Sequence, residues 1–81
     1  MGQTIAVGKF GKYIVIIGDN NGDVAMVINY LNFEGMRTSM RWSGKSVEDA
    51  EQVALEFINN TNSTEEKIMR ARQAYQDVMN S

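Results

Sequence analysis

The sequence predicts an α+β domain, with a four-stranded antiparallel sheet followed by two amphipathic helices packed on one face of it. Three observations lead there. The first half of the chain is rich in β-branched residues and glycine and the second in Ala, Glu, Gln and Arg, with the change at Ser43-Gly44-Lys45-Ser46. Asn21-Gly22 lies between two apolar runs, where Asn-Gly supplies the positive φ angles of a tight hairpin turn. Ser46 and Ser63 each stand three residues before an acid, Asp49 and Glu66, the pattern in which a hydroxyl caps the first N–H groups of a helix.

Residues 3–9 (QTIAVGK) read as a short strand ended by Gly8 and Gly11. Residues 12–18 (KYIVIIG) and 23–31 (DVAMVINYL) form the hairpin around Asn21-Gly22. A third turn at Asn32-Phe33-Glu34-Gly35 leads into strand 36–43, in which Met36, Thr38, Met40 and Trp42 alternate with Arg37, Ser39 and Arg41. Val47, Ala50, Val53, Ala54, Phe57 and Ile58 follow at helical spacing. Asn59-Asn60-Thr61-Asn62 is expected to stop this first helix. Ser63 then caps a second one carrying Ile68, Met69, Ala71, Arg72, Tyr75, Val78 and Met79. Residues 1–81 show no repeat, linker or second domain.

Composition excludes several kinds of chemistry. The 81 residues contain no Cys, His or Pro, so the soft and imidazole ligands of zinc, copper and iron sites are missing, as are Cys nucleophiles and the Ser-His-Asp arrangement. Eight Lys+Arg against ten Asp+Glu give a formal charge of −2, without the strong positive bias of a chain that grips nucleic acid over its whole surface. No apolar run approaches the roughly 18 residues of a membrane span, and Met1-Gly2-Gln3-Thr4 does not read as a signal peptide, so a cytoplasmic location is expected. A chain this short buries only about 60% of its unfolded surface, which keeps dimerisation in view.

The local motifs favour turns and helix surfaces over sites. Gly8-Lys9-Phe10-Gly11-Lys12 has the outline of a GxxG loop, but strands rather than helices flank it. Asp19, Asn21 and Asp23 open like a calcium loop, yet Ala25 and Val27 occupy the next alternate positions and Tyr30 stands where a bidentate Glu belongs. Glu48, Glu51, Glu56, Glu65 and Glu66 read as solvent-facing helix residues. No nucleophile, base and orienting group come together from Ser, Thr, Tyr and Lys, so an enzyme is not expected, and neither a cofactor nor a metal is.

Pairing parity suggests an interaction face. A two-residue turn at Asn21-Gly22 sets Tyr13 opposite Tyr30, Val15 opposite Ile28 and Ile17 opposite Met26. With an even number of residues in the next connection, Arg37, Ser39 and Arg41 join that face. Ile14, Ile16, Val27, Leu31, Met36, Met40 and Trp42 then face the helices. The expected partner-binding residues are therefore Tyr13, Val15, Ile28, Tyr30, Arg37 and Arg41, since exposed apolar area rimmed by Tyr and Arg combines contact area with hydrogen bonding.

The run Tyr13-Ile14-Val15-Ile16-Ile17, the Asn21-Gly22 turn, Arg41-Trp42 and Gly44-Lys45-Ser46-Val47-Glu48-Asp49 leading to a helix through Phe57 together resemble the ββββαα type I-F anti-CRISPR proteins of phages. The stretch from Gly44 to Ile58 is also similar to the strand-to-helix step of HicB-type antitoxins. The first resemblance implies a non-enzymatic inhibitor that binds a host protein or ribonucleoprotein, such as a Cas surveillance complex, through its sheet. The alternatives carried by the same residues are a single-stranded nucleic-acid binder and an antitoxin-like or structural homodimer.

Overall fold

The computed structural model describes residues 3–81. Strands β1 (Gln3–Phe10), β2 (Tyr13–Asn20), β3 (Asp23–Leu31) and β4 (Arg37–Gly44) form one antiparallel sheet in the order β1-β2-β3-β4, followed by a single helix α1 (Val47–Met79). The α+β class and the four strands agree with the sequence reading. The expected pair of helices does not: α1 runs unbroken for 33 residues. The reading of Met1-Gly2 falls outside the described residues.

Glycine and asparagine set the turns. Gly11 has φ 59° in the β1–β2 turn, and Asn21 (φ 54°) and Gly22 (φ 89°) are both left-handed, as a type I′ hairpin requires. The hairpin register is the expected one, with Val15 opposite Ile28 and Ile17 opposite Met26. Between Leu31 and Arg37, which pair directly, lie five residues. Asn32 organises this loop: its side-chain Oδ1 accepts from the backbone N–H groups of Glu34 (2.9 Å) and Met36 (3.0 Å). Gly35 has φ 78°, and its N–H donates to the Asn32 carbonyl at 2.8 Å.

The odd loop length decides the faces, because each added residue turns the following strand over. Thr38, Met40 and Trp42 pair with Tyr30, Ile28 and Met26, so these three lie on the same face of the sheet as Tyr13, Val15 and Ile17. α1 covers this face. The core comprises Tyr13, Val15, Ile17, Val24, Met26 and Ile28 from the strands and Ala50, Ala54 and Ile58 from the helix, with Tyr30, Met40, Trp42, Val47, Val53 and Phe57 packed around it. Alanine at 50 and 54 lets the helix backbone approach the large strand side chains closely. The helix starts as expected, with the Asp49 N–H donating to Ser46 Oγ at 3.1 Å.

Ser63 is not a cap, and Asn59 to Asn62 do not end the helix. Neither Gly nor Pro occurs within α1, and Asn, Thr and Ser each cost only about 0.5 kcal/mol relative to Ala in a helix. Tertiary contacts offset that cost. The Tyr13 hydroxyl donates to Asn62 Oδ1 at 2.7 Å, and Glu65 accepts from the Phe33 N–H at 2.9 Å and from the Lys12 ammonium. Glu65 is thus buried yet fully partnered, and it ties the helix to both loops at one end of the sheet.

Trp42 lies over Gly44, where an added Cβ would collide with the indole. Trp42→Ala should lower stability by about 3 kcal/mol, and Gly44→Ala should destabilise by about 1–3 kcal/mol through overpacking. Urea denaturation of the two variants checks both values.

Burial pushes the Tyr13 hydroxyl above its usual range, aided by the negative charge of Glu65 and by Tyr30. A native pKa above the unfolded value means that the folded state holds its proton more tightly, so the stabilisation is present below about pH 10 and is lost as pH rises beyond it. Tyr13→Phe should cost about 1 kcal/mol at neutral pH through the lost hydrogen bond and should flatten the alkaline decline. Thermal unfolding between about pH 8 and 11.5 reads this out.

Candidate interaction surface

The face of the sheet away from α1 is uncovered. Register places its side chains in rungs that cross the strands: Val7, Ile16, Val27 and Arg41 form one, and Lys9, Ile14, Asn29 and Ser39 the next. Leu31 and Arg37 lie beyond them at the end of β3 and β4. The centre is aliphatic, with Ile16 and Val27 half-buried among their neighbours, and Val7 (65% exposed) and Leu31 (52% exposed) open to solvent. Two shallow depressions mark it, one around Ile16, Gly18, Ala25 and Val27 and the other between Lys9, Ile14, Leu31 and Arg37. Ser39 Oγ donates to Asn29 Oδ1 at 2.6 Å, which fixes both polar groups in the second rung.

The rim is basic. Lys9 at one edge and Arg37 and Arg41 at the other are exposed, and among the described residues none of the three has an acidic partner within salt-bridge distance. Seven of the ten acids (Glu48, Asp49, Glu51, Glu56, Glu65, Glu66 and Asp77) are on α1, on the far side. The net charge of −2 therefore conceals a division between an acidic helix and a sheet face whose one carboxylate in the strand register, Asp23 at the turn end of β3, is paired with Lys45.

The structure separates the residues expected to act together. Tyr13 (1% exposed), Val15 and Ile28 are buried beneath α1. Tyr30 is half-buried there, its ring 4.9 Å from that of Tyr13 and 5.8 Å from that of Phe57. Arg37 and Arg41 are exposed on the opposite face. The expected cluster of two tyrosines and two arginines is corrected by the five-residue β3–β4 loop, which turns the arginines away from the tyrosines. Ile14, Ile16, Val27 and Leu31, expected under the helices, line the open face instead. Met40 and Trp42 do face the helix, as expected.

The sequence did hold a signal for which face is covered. Tyr13, Val15, Ile17, Val24, Met26, Ile28 and Tyr30 form an unbroken apolar set. The other parity is interrupted by Gly18, Ala25 and Asn29. A helix gains most by covering the uninterrupted set.

The edges of the sheet differ. β4 carries Arg37 and Arg41, charges that discourage pairing with another strand. β1 carries Lys9 as its one charge, and its register shift between Thr4 and Ala6 leaves Ile5 without a partner on β2. α1 packs against β2, β3 and β4 and stands off β1, leaving a narrow apolar groove lined by Ala6, Phe10, Leu55 and Ile58.

Among the described residues no group of three or more acidic, His or Cys side chains converges as a metal site, and no helix is long and apolar enough to cross a membrane. Asp19 and Asp23 flank the β2–β3 turn, where Asp23 pairs with Lys45 at 2.5 Å. No family model, curated protein or solved structure matches this chain.

Proposed function

We propose that this chain is a non-enzymatic interaction module that inhibits a larger protein or ribonucleoprotein by stoichiometric binding through the open face of its sheet. The observation that carries the reading is the uncovered aliphatic face of Val7, Ile14, Ile16, Val27 and Leu31, rimmed by Lys9, Arg37 and Arg41, with its one strand carboxylate, Asp23, at the far turn and paired with Lys45. An apolar centre supplies affinity on desolvation, and arginines at its border supply hydrogen bonds and orientation. The complementary surface is apolar with an acidic or phosphate-bearing border, as a ribonucleoprotein presents. The partner class follows the resemblance to type I-F anti-CRISPR proteins: a bacterial defence complex met in the host cytoplasm.

Single-stranded nucleic acid is the weaker reading. Binding of that kind rests on aromatic rings that stack on bases. Tyr13, Tyr30 and Trp42 belong to the helix-covered face, and among the described residues the open face offers no ring.

A purified type I-F surveillance complex and its target duplex provide the test, with DNA capture followed by gel shift. The chain should block capture near one equivalent. Leu31→Ala combined with Arg41→Ala should leave the melting temperature nearly unchanged, because surface truncations cost within about 0.5 kcal/mol each. The same double variant should weaken inhibition by about thirty-fold or more, since an apolar and an arginine anchor together contribute about 2 kcal/mol. Undiminished inhibition by the double variant would remove the open face from the mechanism. Direct, salt-sensitive binding of single-stranded oligonucleotides with no effect on the complex would favour the nucleic-acid reading.

A further inference from the structure

Past Glu65, α1 leaves the sheet. A 33-residue helix is about 50 Å long, whereas an eight-residue strand spans about 27 Å, so its C-terminal turns overhang the body. From Glu66 to Asn80 every residue except Ile68 is exposed. The overhang is nonetheless two-sided. Glu66, Arg70, Gln73 and Asp77 occupy one flank, linked along the helix by Arg70–Glu66 (2.5 Å) and Gln73–Asp77 (2.9 Å). The other flank carries Ile68, Ala71, Tyr75 (67% exposed) and Val78 (71% exposed), with a shallow groove around Ile68, Ala71 and Tyr75.

Those four residues follow steps of three, four and three, the spacing of a coiled-coil seam, and they continue the series Val47, Ala50, Ala54 and Phe57 that packs on the sheet. We propose that the overhang is the interface of a homodimer, in which the C-terminal turns of two copies pair antiparallel along this seam.

The occupant is a second copy because the seam is complementary to itself. Steps of three, four and three read the same in both directions, so a two-fold axis sets Ile68 against Val78 of the partner subunit and Ala71 against Tyr75 of the partner subunit. Each layer then joins a larger side chain to a smaller one, which fills the space evenly. A parallel pair would stack tyrosine on tyrosine and alanine on alanine, leaving one layer crowded and the next under-filled. In the antiparallel pair the two copies of Arg72 approach the axis, but each guanidinium is held by its own body, 4.9 Å from the centre of the Phe33 ring and 3.9 Å from Glu34 Oε2. The two sheets extend toward opposite ends of such a pair, each body reaching along its own helix as far as Arg72. A seam of two heptads is shorter than interfaces that bury the roughly 800 Å² per partner of stable complexes, so a weak, concentration-dependent dimer is expected.

Sedimentation velocity from about 1 to 500 μM tests the association, because a weak, concentration-dependent dimer crosses from monomer to dimer within that span. Wild type should cross, whereas Ala71→Glu, which puts a charge into the central layers, should stay monomeric with an unchanged melting temperature at low concentration. Because the chain has no cysteine, cross-linking reports the geometry. Ile68→Cys and Val78→Cys, mixed and treated with diamide, should form a disulfide between positions 68 and 78. Each variant alone should remain largely uncrosslinked. A wild type that is monomeric throughout would overturn the proposal. Dimerisation that survives Ala71→Glu, or cross-linking of Ile68→Cys alone as efficient as that of the mixture, would overturn it as well.

Discussion

A sheet of four strands has one helix to cover it, and the rest of the structure depends on that mismatch. A helix is about 10 Å wide and strands lie about 4.8 Å apart, so a single helix shields two or three of them. α1 lies over β2, β3 and the inner side of β4, which leaves β1 bare and the entire opposite face open. The fully buried apolar set is correspondingly small, nine side chains from Tyr13 to Ile58. Such a domain has little margin from its core alone, and surfaces left uncovered by the fold are available for association.

The covered face was chosen by continuity, not by total hydrophobicity. Both parities of β2 and β3 are rich in Ile and Val, so alternation alone leaves the choice open. Gly18, Ala25 and Asn29 thin one face, while the other runs without a gap from Tyr13 to Tyr30 and gains Met40 and Trp42 from β4. Strand positions, the Asn21-Gly22 register and the Ser46 cap were legible because each depends on residues within a few positions of one another. The β3–β4 loop was only half legible. Asn32 and Gly35 announce a turn, but the number of residues in it is fixed by the two hydrogen bonds to the Asn32 side chain, which the residue types do not reveal. One residue of difference there moved Arg37 and Arg41 to the other face of the sheet.

The helix shows the opposite failure. Asn59-Asn60-Thr61-Asn62-Ser63-Thr64 has every local mark of a break, and the short-range preferences are real though small. Lys12, Tyr13 and Phe33 overrule them through Asn62 and Glu65 from 32 to 53 positions away in the chain. Tertiary partners thereby convert a weak segment into a continuous rod and carry the last turns clear of the body. The candidate interaction face and the overhanging seam thus have separate origins, one in the parity of a loop and the other in a polar clasp at the end of the sheet.

The strand order β1-β2-β3-β4 also bears on how the molecule acquires its shape. Each strand pairs with its immediate predecessor, and the helix comes last. Chain closure therefore proceeds through short loops, and no strand has to wait for a distant segment before it can pair. Hairpins of this kind close in about 1–10 μs, and folds dominated by such neighbouring contacts reach the native state faster than sheets with crossovers. During synthesis the complete sheet can emerge before α1 does, with both of its apolar faces exposed until the helix arrives. Docking of α1 is then the step that decides between the folded domain and adhesion of one nascent sheet to another.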